Sequence, residues 1–334
     1  MAAADEARRA ARLSVAPMMD WMDRRCRVFH RAISRRTLLY TEMVTSAALV
    51  RGGARHILAH DRAEHPLAVQ LGGAEPGELA EAARICAGEG FGEINLNVGC
   101  PSDRVQSGCF GAVLMEHPAL VADCVAAMAA AAPGGEITVK CRIGVDHQVP
   151  EEVLPAFLET VSAAGVSRFA IHARKAWLQG LSPRENRSVP PLDHALVLEM
   201  KRRFPQLSIA INGGIGTLDE ARGFLGQGLD GVMIGRAAYQ TPFDVLARAD
   251  REIFGATTPV PSRGAVLDRM RPYIADHLQA GKRLHAITRH MLGLYAGCPG
   301  ARQWRRILSE GAQAPGAGLE VLDAARDAVE PVAA

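Results

Sequence analysis

No stretch of the 334-residue chain reaches the roughly 18 consecutive apolar residues of a membrane helix, because the Ala-rich run 119–132 is broken by Asp123. A spanning helix is therefore not expected, and a soluble protein is. The leader 1–12 lacks an apolar centre and carries Asp5 and Glu6, which argues against a secretory or transit peptide and leaves a short frayed helix. The seven cysteines (Cys26, Cys86, Cys100, Cys109, Cys124, Cys141 and Cys298) are odd in number and nowhere stand at C-x-x-C spacing. Reduced thiols in the cytoplasm follow as the expectation.

Net charge is also small, +2, but it is unevenly placed. Between Arg269 and Arg306 stand eight basic residues (Arg269, Arg271, Lys282, Arg283, Arg289, Arg302, Arg305 and Arg306) against the single acid Asp276, which makes the segment +7 and the remainder −5. Such a separation fits a polyanion docking on the C-terminal part, since phosphate neutralisation supplies most non-specific nucleic-acid affinity. A solvated helical face accounts for the same residues without a partner. The rest of the composition, 48% hydrophobic and 22% charged, is that of a globular chain with a sizeable core.

Eight short aliphatic or β-branched runs recur with helix-like segments between them: Leu13 to Met18, Leu38 to Val44, Leu67 to Leu71, Glu93 to Val98, Ile137 to Arg142, Arg168 to His172, Leu207 to Ile211 and Gly231 to Ile234. Buried parallel strands read as near-continuous apolar runs, and their alternation with helices marks βαβ units. Eight such units predict an α/β fold closed as a (β/α)8 TIM barrel. Pro76-Gly77-Glu78 opens an amphipathic helix, Thr217 and Glu220 form a capping box, and a final barrel helix is expected over Pro242 to Phe254. The expected organisation is a leader at 1–12, a catalytic barrel over 13–254, a linker at 255–261, and a small basic all-helical domain with its tail over 262–334.

In such a barrel the residues just past each strand converge on one mouth. Here they are Met18 and Met19, Glu42, Gln70, Asn97 and Cys100, Lys140 and Arg142, His172 and Arg174, Asn212-Gly213-Gly214, and Gly235-Arg236. Glycines after strands seven and eight let backbone N–H groups approach a phosphate, and Arg236 adds a positive fork. Lys140 and His172 read as a cationic pair suited to a flavin, which gains negative charge on reduction. Their structural alternatives are a salt bridge from Lys140 to a neighbour such as Glu42 and a satisfied core histidine at 172. Asn95-Leu96-Asn97-Val98-Gly99-Cys100-Pro101-Ser102 places one thiol in the loop after strand four, where a protonated thiol can act as a general acid. The other six cysteines read as small inert hydrophobes.

These stretches, together with Ala16-Pro17-Met18-Met19-Asp20, Lys140-Cys141-Arg142-Ile143-Gly144, His172-Ala173-Arg174 and Ile211-Asn212-Gly213-Gly214-Ile215, resemble the tRNA-dihydrouridine synthases over roughly 13–308. The resemblance implies FMN held by Pro17, Met18, Met19, Gln70, Lys140, His172, Asn212, Gly213, Gly214, Gly235 and Arg236, with NADPH as electron source. It implies hydride transfer from flavin N5 to uracil C6 and protonation of C5 by Cys100. The run from Arg174 to Arg187 looks like the bacterial A-type subfamily, which modifies D-loop uridines at tRNA positions 20 and 20a. That likeness assigns Arg184, Arg187, Arg302 and Arg305 to tRNA docking and brings Asn97 near the target nucleotide. Many relatives carry an acid where Gly214 stands, so no side-chain role carries over there. With tRNA and NADPH as partners, a monomer with no metal and no membrane is expected. Three rivals stay open: an FMN barrel acting on a free pyrimidine or small ketone, an aldolase-like barrel using Lys140 as a Schiff base, and a non-catalytic RNA-binding module.

Overall fold

Each of the eight apolar runs forms one strand of a closed parallel barrel. The computed structural model describes residues 2–102 and 110–330. Strands β1 (Leu13–Val15), β2 (Leu38–Thr45), β3 (Leu67–Gly72), β4 (Glu93–Val98), β5 (Glu136–Arg142), β6 (Arg168–His172), β7 (Ser208–Asn212) and β8 (Gly231–Ile234) pair in chain order, and β1 closes on β8. Among the described residues no helix is long and apolar enough to cross a membrane.

The strands are less uniformly apolar than expected, and the difference has a geometric cause. Successive side chains point to opposite faces. Ile94, Leu96 and Val98 on β4, with Ile137, Val139 and Cys141 on β5, enter the core shared with the surrounding helices. Each such burial stabilises by about 1.5–3 kcal/mol. Alternate positions, Glu93, Asn95 and Asn97 on β4 and Glu136, Thr138, Lys140 and Arg142 on β5, form the opposite set. An eight-stranded barrel has an interior just wide enough for side chains. Ala68, Ala170 and Ala210 sit in a separate inner cluster with Leu38, Tyr40 and Met233, and these small residues leave room for long polar neighbours.

The leader does not fray as expected. Its helix (Ala2–Ala10) buries Ala7 and Ala10, and together with Ala11 these join the inner cluster, while Arg8 pairs with Glu136 at 3.2 Å. Apolar alanines closing the barrel floor outweigh the helix's short length. The single helix expected over Pro242 to Phe254 is instead two short ones, Pro242–Leu246 and Ala249–Glu252. By contrast, the helix Pro76–Gly88 and the Thr217–Glu220 capping box form as the sequence indicates.

A β-bulge interrupts the β2–β3 register between Tyr40 and Met43. There Thr41 Oγ1 accepts the Gln70 N–H at 3.2 Å, so the side chain satisfies a backbone donor at the irregular step.

Helices Arg263–Gln279, His285–Thr288, Ala301–Gly311 and Leu319–Asp327 follow, and their apolar faces enter the same core as the outer barrel. Arg289 pairs with Asp23 at 3.0 Å and donates to the Asp20 carbonyl, and His290 Nε2 meets Asp23 at 3.1 Å. Gly293 lies so close to the Gln240 carbonyl that an added Cβ would sit 2.3 Å from its oxygen. The basic segment is accordingly less free than its composition suggests: Arg271 is paired with Asp323 and Arg289 with Asp23. Arg302, Arg305 and Arg306 remain exposed on the helix whose other face buries Trp304 and Leu308.

Candidate active site

Register brings the polar strand ends together. Asn97 stands beside Lys140, and Arg142, His172, Asn212 and Met233 follow one another across β5 to β8. Asn212 Nδ2 donates to the Met233 carbonyl at 2.8 Å, tying β7 to β8.

Gly213 and Gly214 have φ of +107° and +75°, a region that disfavours side chains. A Cβ at Gly213 would lie 2.5 Å from His172 Cδ2, and one at Gly214 2.4 Å from Leu192 Cδ1. Leu192 thus occupies the space beside Gly214 that an acid would need. Gly235 caps the short helix Arg236–Gln240, and its φ of −99° places no such demand.

Four arginines crowd this side of the mouth. Arg142 is held down to about 10 by burial first and then by neighbours that include Arg187 and Arg174. Burial, then the charge of Arg236, likewise lowers both Arg174 and Arg187. None of Arg142, Arg174, Arg187 and Arg236 forms an ion pair among the described residues; Arg142, Arg174 and Arg236 donate to backbone carbonyls instead, Arg236 to that of Arg187 at 3.0 Å. The buried Arg174 Nε has no hydrogen-bond partner among them. Unbalanced positive charge of this kind suits an anionic ligand.

The expected cationic pair is corrected to one cation and one neutral donor. Burial, then the charges of Arg142, Lys140, Arg174 and Arg236, keep His172 well below the ordinary imidazole value. Lys140 is pushed down to about 8 by burial and then by Arg142, so it is mostly charged at neutral pH. Its expected alternative, a salt bridge to Glu42, does not form. Because the folded value lies below the unfolded 10.5, the unfolded chain holds the extra proton between about pH 8 and 10.5. Stability of flavin-free protein should therefore gain a contribution from this group as pH rises through that window. Thermal melts of Lys140→Met across the same range should lose that contribution; an unchanged pH slope would contradict the assignment.

Cys100 is half-buried in the loop after β4, with Sγ 3.5 Å from Ser102 Oγ. Asn97 Oδ1 accepts the Gly99 and Cys100 N–H groups at 3.0 and 2.9 Å, while Arg142 Nε donates to the Gly99 carbonyl at 2.9 Å. Two mouth residues therefore fix this loop from opposite sides. The same Arg142 holds the carbonyls of Lys175 and Asn186. Asn186, fully buried, binds both backbone groups of Trp177 and so shapes the loop that carries Arg184 and Arg187. Cys26, Cys86, Cys124 and Cys141 are buried, and burial pushes the last three up to about 12 and Cys26 well above the ordinary thiol value. Cys298 is only half-buried, and Cys109 lies outside the described residues.

Around the rim, Met19 is 55% exposed, Pro17 and Met18 are half-buried, and Gln70 is buried. Trp21 stacks on Tyr239 with centroids 4.3 Å apart. Arg184 and Arg187 are exposed on the loop after β6, and Arg302 and Arg305 on the C-terminal helix. Sequence reasoning missed Asn186, the Trp21–Tyr239 stack and the polar interior. Period-two polarity within β4 and β5 was the available signal for the last.

The chain matches the family model described as dihydrouridine synthase (Dus) over residues 14–330. It is 56% identical over 317 residues to a tRNA-dihydrouridine(20/20a) synthase of Vibrio cholerae, covering 95% of this chain and 96% of the relative. An Escherichia coli K12 protein of the same description is 55% identical, with 94% and 90% covered. Among solved structures, an old yellow enzyme homologue from Zymomonas mobilis superposes with a TM-score of 0.51 at 13% identity, covering 76% of this chain and 92% of that one. That likeness concerns the fold.

Proposed function

The chain belongs to the dihydrouridine synthase family, and from that premise we propose that it reduces uridine to 5,6-dihydrouridine in the tRNA D-loop at positions 20 and 20a, using FMN and NADPH. The observation that carries the cofactor reading is the group Arg142, Arg174, Arg187 and Arg236, unpaired with any carboxylate among the described residues and set beside two glycines of positive φ. Backbone N–H groups near Gly213, Gly214 and Gly235, with Arg236, would hold the flavin phosphate. Lys140, still charged at neutral pH, and the neutral donor His172 would stabilise the reduced ring, with Gln70, Asn212, Pro17, Met18 and Met19 around it. Bound FMN supplies the hydride that uracil C6 accepts.

The protein's own part is proton delivery and positioning. Cys100 gives its Sγ proton to C5, and the bonds from Asn97 and Arg142 hold its loop for that transfer. One Asn97 Nδ2 hydrogen is used by Gln70, and the second, without a partner among the described residues, would meet the nucleotide. The target base must leave its stack to reach the mouth, at a cost of a few kcal/mol. Contacts from Arg184, Arg187, Arg302 and Arg305 to tRNA phosphates offset that cost. The enzyme acts as a cytoplasmic monomer without a metal, its barrel over 13–254 doing chemistry and its basic helices over 262–334 docking tRNA.

Purified protein should take up FMN and, given NADPH, convert uridine 20 or 20a of unmodified tRNA to a product two mass units heavier. Folded protein unable to bind FMN or to make that product would overturn the reading. Arg302→Ala with Arg305→Ala should weaken tRNA binding and lower the slope of log affinity against log salt by about 2, leaving FMN uptake unchanged. An unaltered slope would remove the docking role.

A further inference from the structure

A continuous file of side-chain hydrogen bonds runs through the barrel from its floor to the Cys100 loop. Arg168 Nη2 donates to Glu93 Oε2 at 2.5 Å and to Glu136 Oε2 at 2.8 Å. Thr138 Oγ1 donates to Glu93 Oε1 at 2.7 Å, and the Tyr40 hydroxyl donates to the same oxygen. Asn95 Nδ2 donates to Thr138 Oγ1 at 2.8 Å, Gln70 Nε2 to Asn95 Oδ1 at 2.8 Å, and Asn97 Nδ2 to Gln70 Oε1 at 2.8 Å. Asn97 Oδ1 is left to accept the Gly99 and Cys100 N–H groups.

The direction of this file follows from its first link. Glu93, facing a guanidinium and two hydroxyls, has only acceptor oxygens to offer. Thr138 has one hydroxyl hydrogen, and giving it to Glu93 leaves only lone pairs for Asn95. Asn95 must then turn its NH2 to Thr138 and its oxygen to Gln70, and the same logic turns Gln70 and then Asn97. Reversing any one amide would set donor against donor or oxygen against oxygen at a buried site, where an unmatched polar group is costly. The sense set at Glu93 and the demand of the two loop N–H groups therefore agree at Asn97, whose oxygen faces the loop.

We propose that Thr138 and Glu93 are positioning residues: through Asn95, Gln70 and Asn97 they fix the amide orientation that holds the Gly99–Cys100 backbone at the mouth. The consequence for proton delivery rests on the function proposed above; the orientation itself does not. Neither residue touches the reacting atoms, and both act through the amides between them and the loop.

Thr138→Val keeps the shape of the side chain and deletes the hydroxyl, whereas Thr138→Ser keeps the hydroxyl and deletes a methyl. Hydrogen–deuterium exchange of the peptide spanning Gly99 and Cys100, in protein without tRNA or NADPH, reads the orientation directly. In Thr138→Val these amides should exchange about fivefold faster, the factor that one hydrogen bond of ordinary strength represents. Thr138→Ser should exchange as wild type. Asn95→Leu breaks the next link and should reproduce the Val result. In tRNA reduction the Val variant should show a lower kcat with KM little changed, and Ser should restore it. Wild-type exchange in the Val and Leu variants would overturn the proposal, as would a Ser variant that exchanges as fast as Val, because a packing defect would then be the cause. Altered exchange without any dihydrouridine activity in wild type would sustain the proposal and sink the functional reading instead.

Discussion

Cys100→Ala should lower dihydrouridine formation by roughly 10²–10⁴-fold, the usual contribution of a positioned general acid. Among the described residues the side chain's one contact at hydrogen-bond range is to Ser102 Oγ at 3.5 Å. Its loop is held by backbone groups, through Asn97, Arg142 and the Ala112 N–H on the Cys100 carbonyl. Removing the sulfur therefore leaves the loop in place. Flavin uptake and reduction of the flavin by NADPH should stay at wild-type levels, so the loss should appear only in the half-reaction with tRNA. Cys100→Ser should not recover the rate, because an aliphatic hydroxyl is a far weaker acid than a thiol. Rapid mixing of reduced enzyme with unmodified tRNA separates the two half-reactions. Wild-type oxidation of the flavin by tRNA in the alanine variant would rule the thiol out as proton source.

The second large effect is on stability. Arg168 is almost fully buried and pairs with Glu93 and Glu136, which are buried too. Removing one partner of such a group costs about 3–5 kcal/mol, because uncompensated charge stays behind. Arg168→Met should therefore lower unfolding free energy by about that amount. Stranded carboxylates in a low-dielectric interior have raised pKa values, so the folded variant binds protons more readily than its unfolded chain. Its deficit against wild type should shrink as pH falls from 7 to 5, as urea melts at the two values would show. A deficit independent of pH would mean that lost packing, rather than stranded charge, is the cause.

The barrel was legible because its helix-facing strand positions are aliphatic, and Glu93–Val98, Arg168–His172 and Gly231–Ile234 coincide with the runs read from sequence. Strand ends were less sharp where the loop is also apolar: β1 stops at Val15, although Ala16, Pro17 and Met18 continue the run. The mouth residues could be named because strand ends must converge there. Their protonation could not, since His172 is kept neutral by burial and then by the charges of Arg142, Lys140, Arg174 and Arg236, which come from two other strand ends and the backbone beside its own. Nor could Arg271 and Arg289 be separated from free surface arginines, because Asp323 and Asp23 lie 52 and 266 residues away. The burial of Ala7 and Ala10 depends likewise on a barrel floor built later in the chain.

The close approach of Gly293 to the Gln240 carbonyl and the Asp23 pairs to Arg289 and His290 tie the C-terminal helices to the barrel. The distance from the arginines of the Ala301–Gly311 helix to the Cys100 loop is thereby preset. Under the tRNA docking proposed above, a nucleic acid held by those arginines would have to offer its base at that reach, and the protein would act as a caliper that selects RNA by its bend.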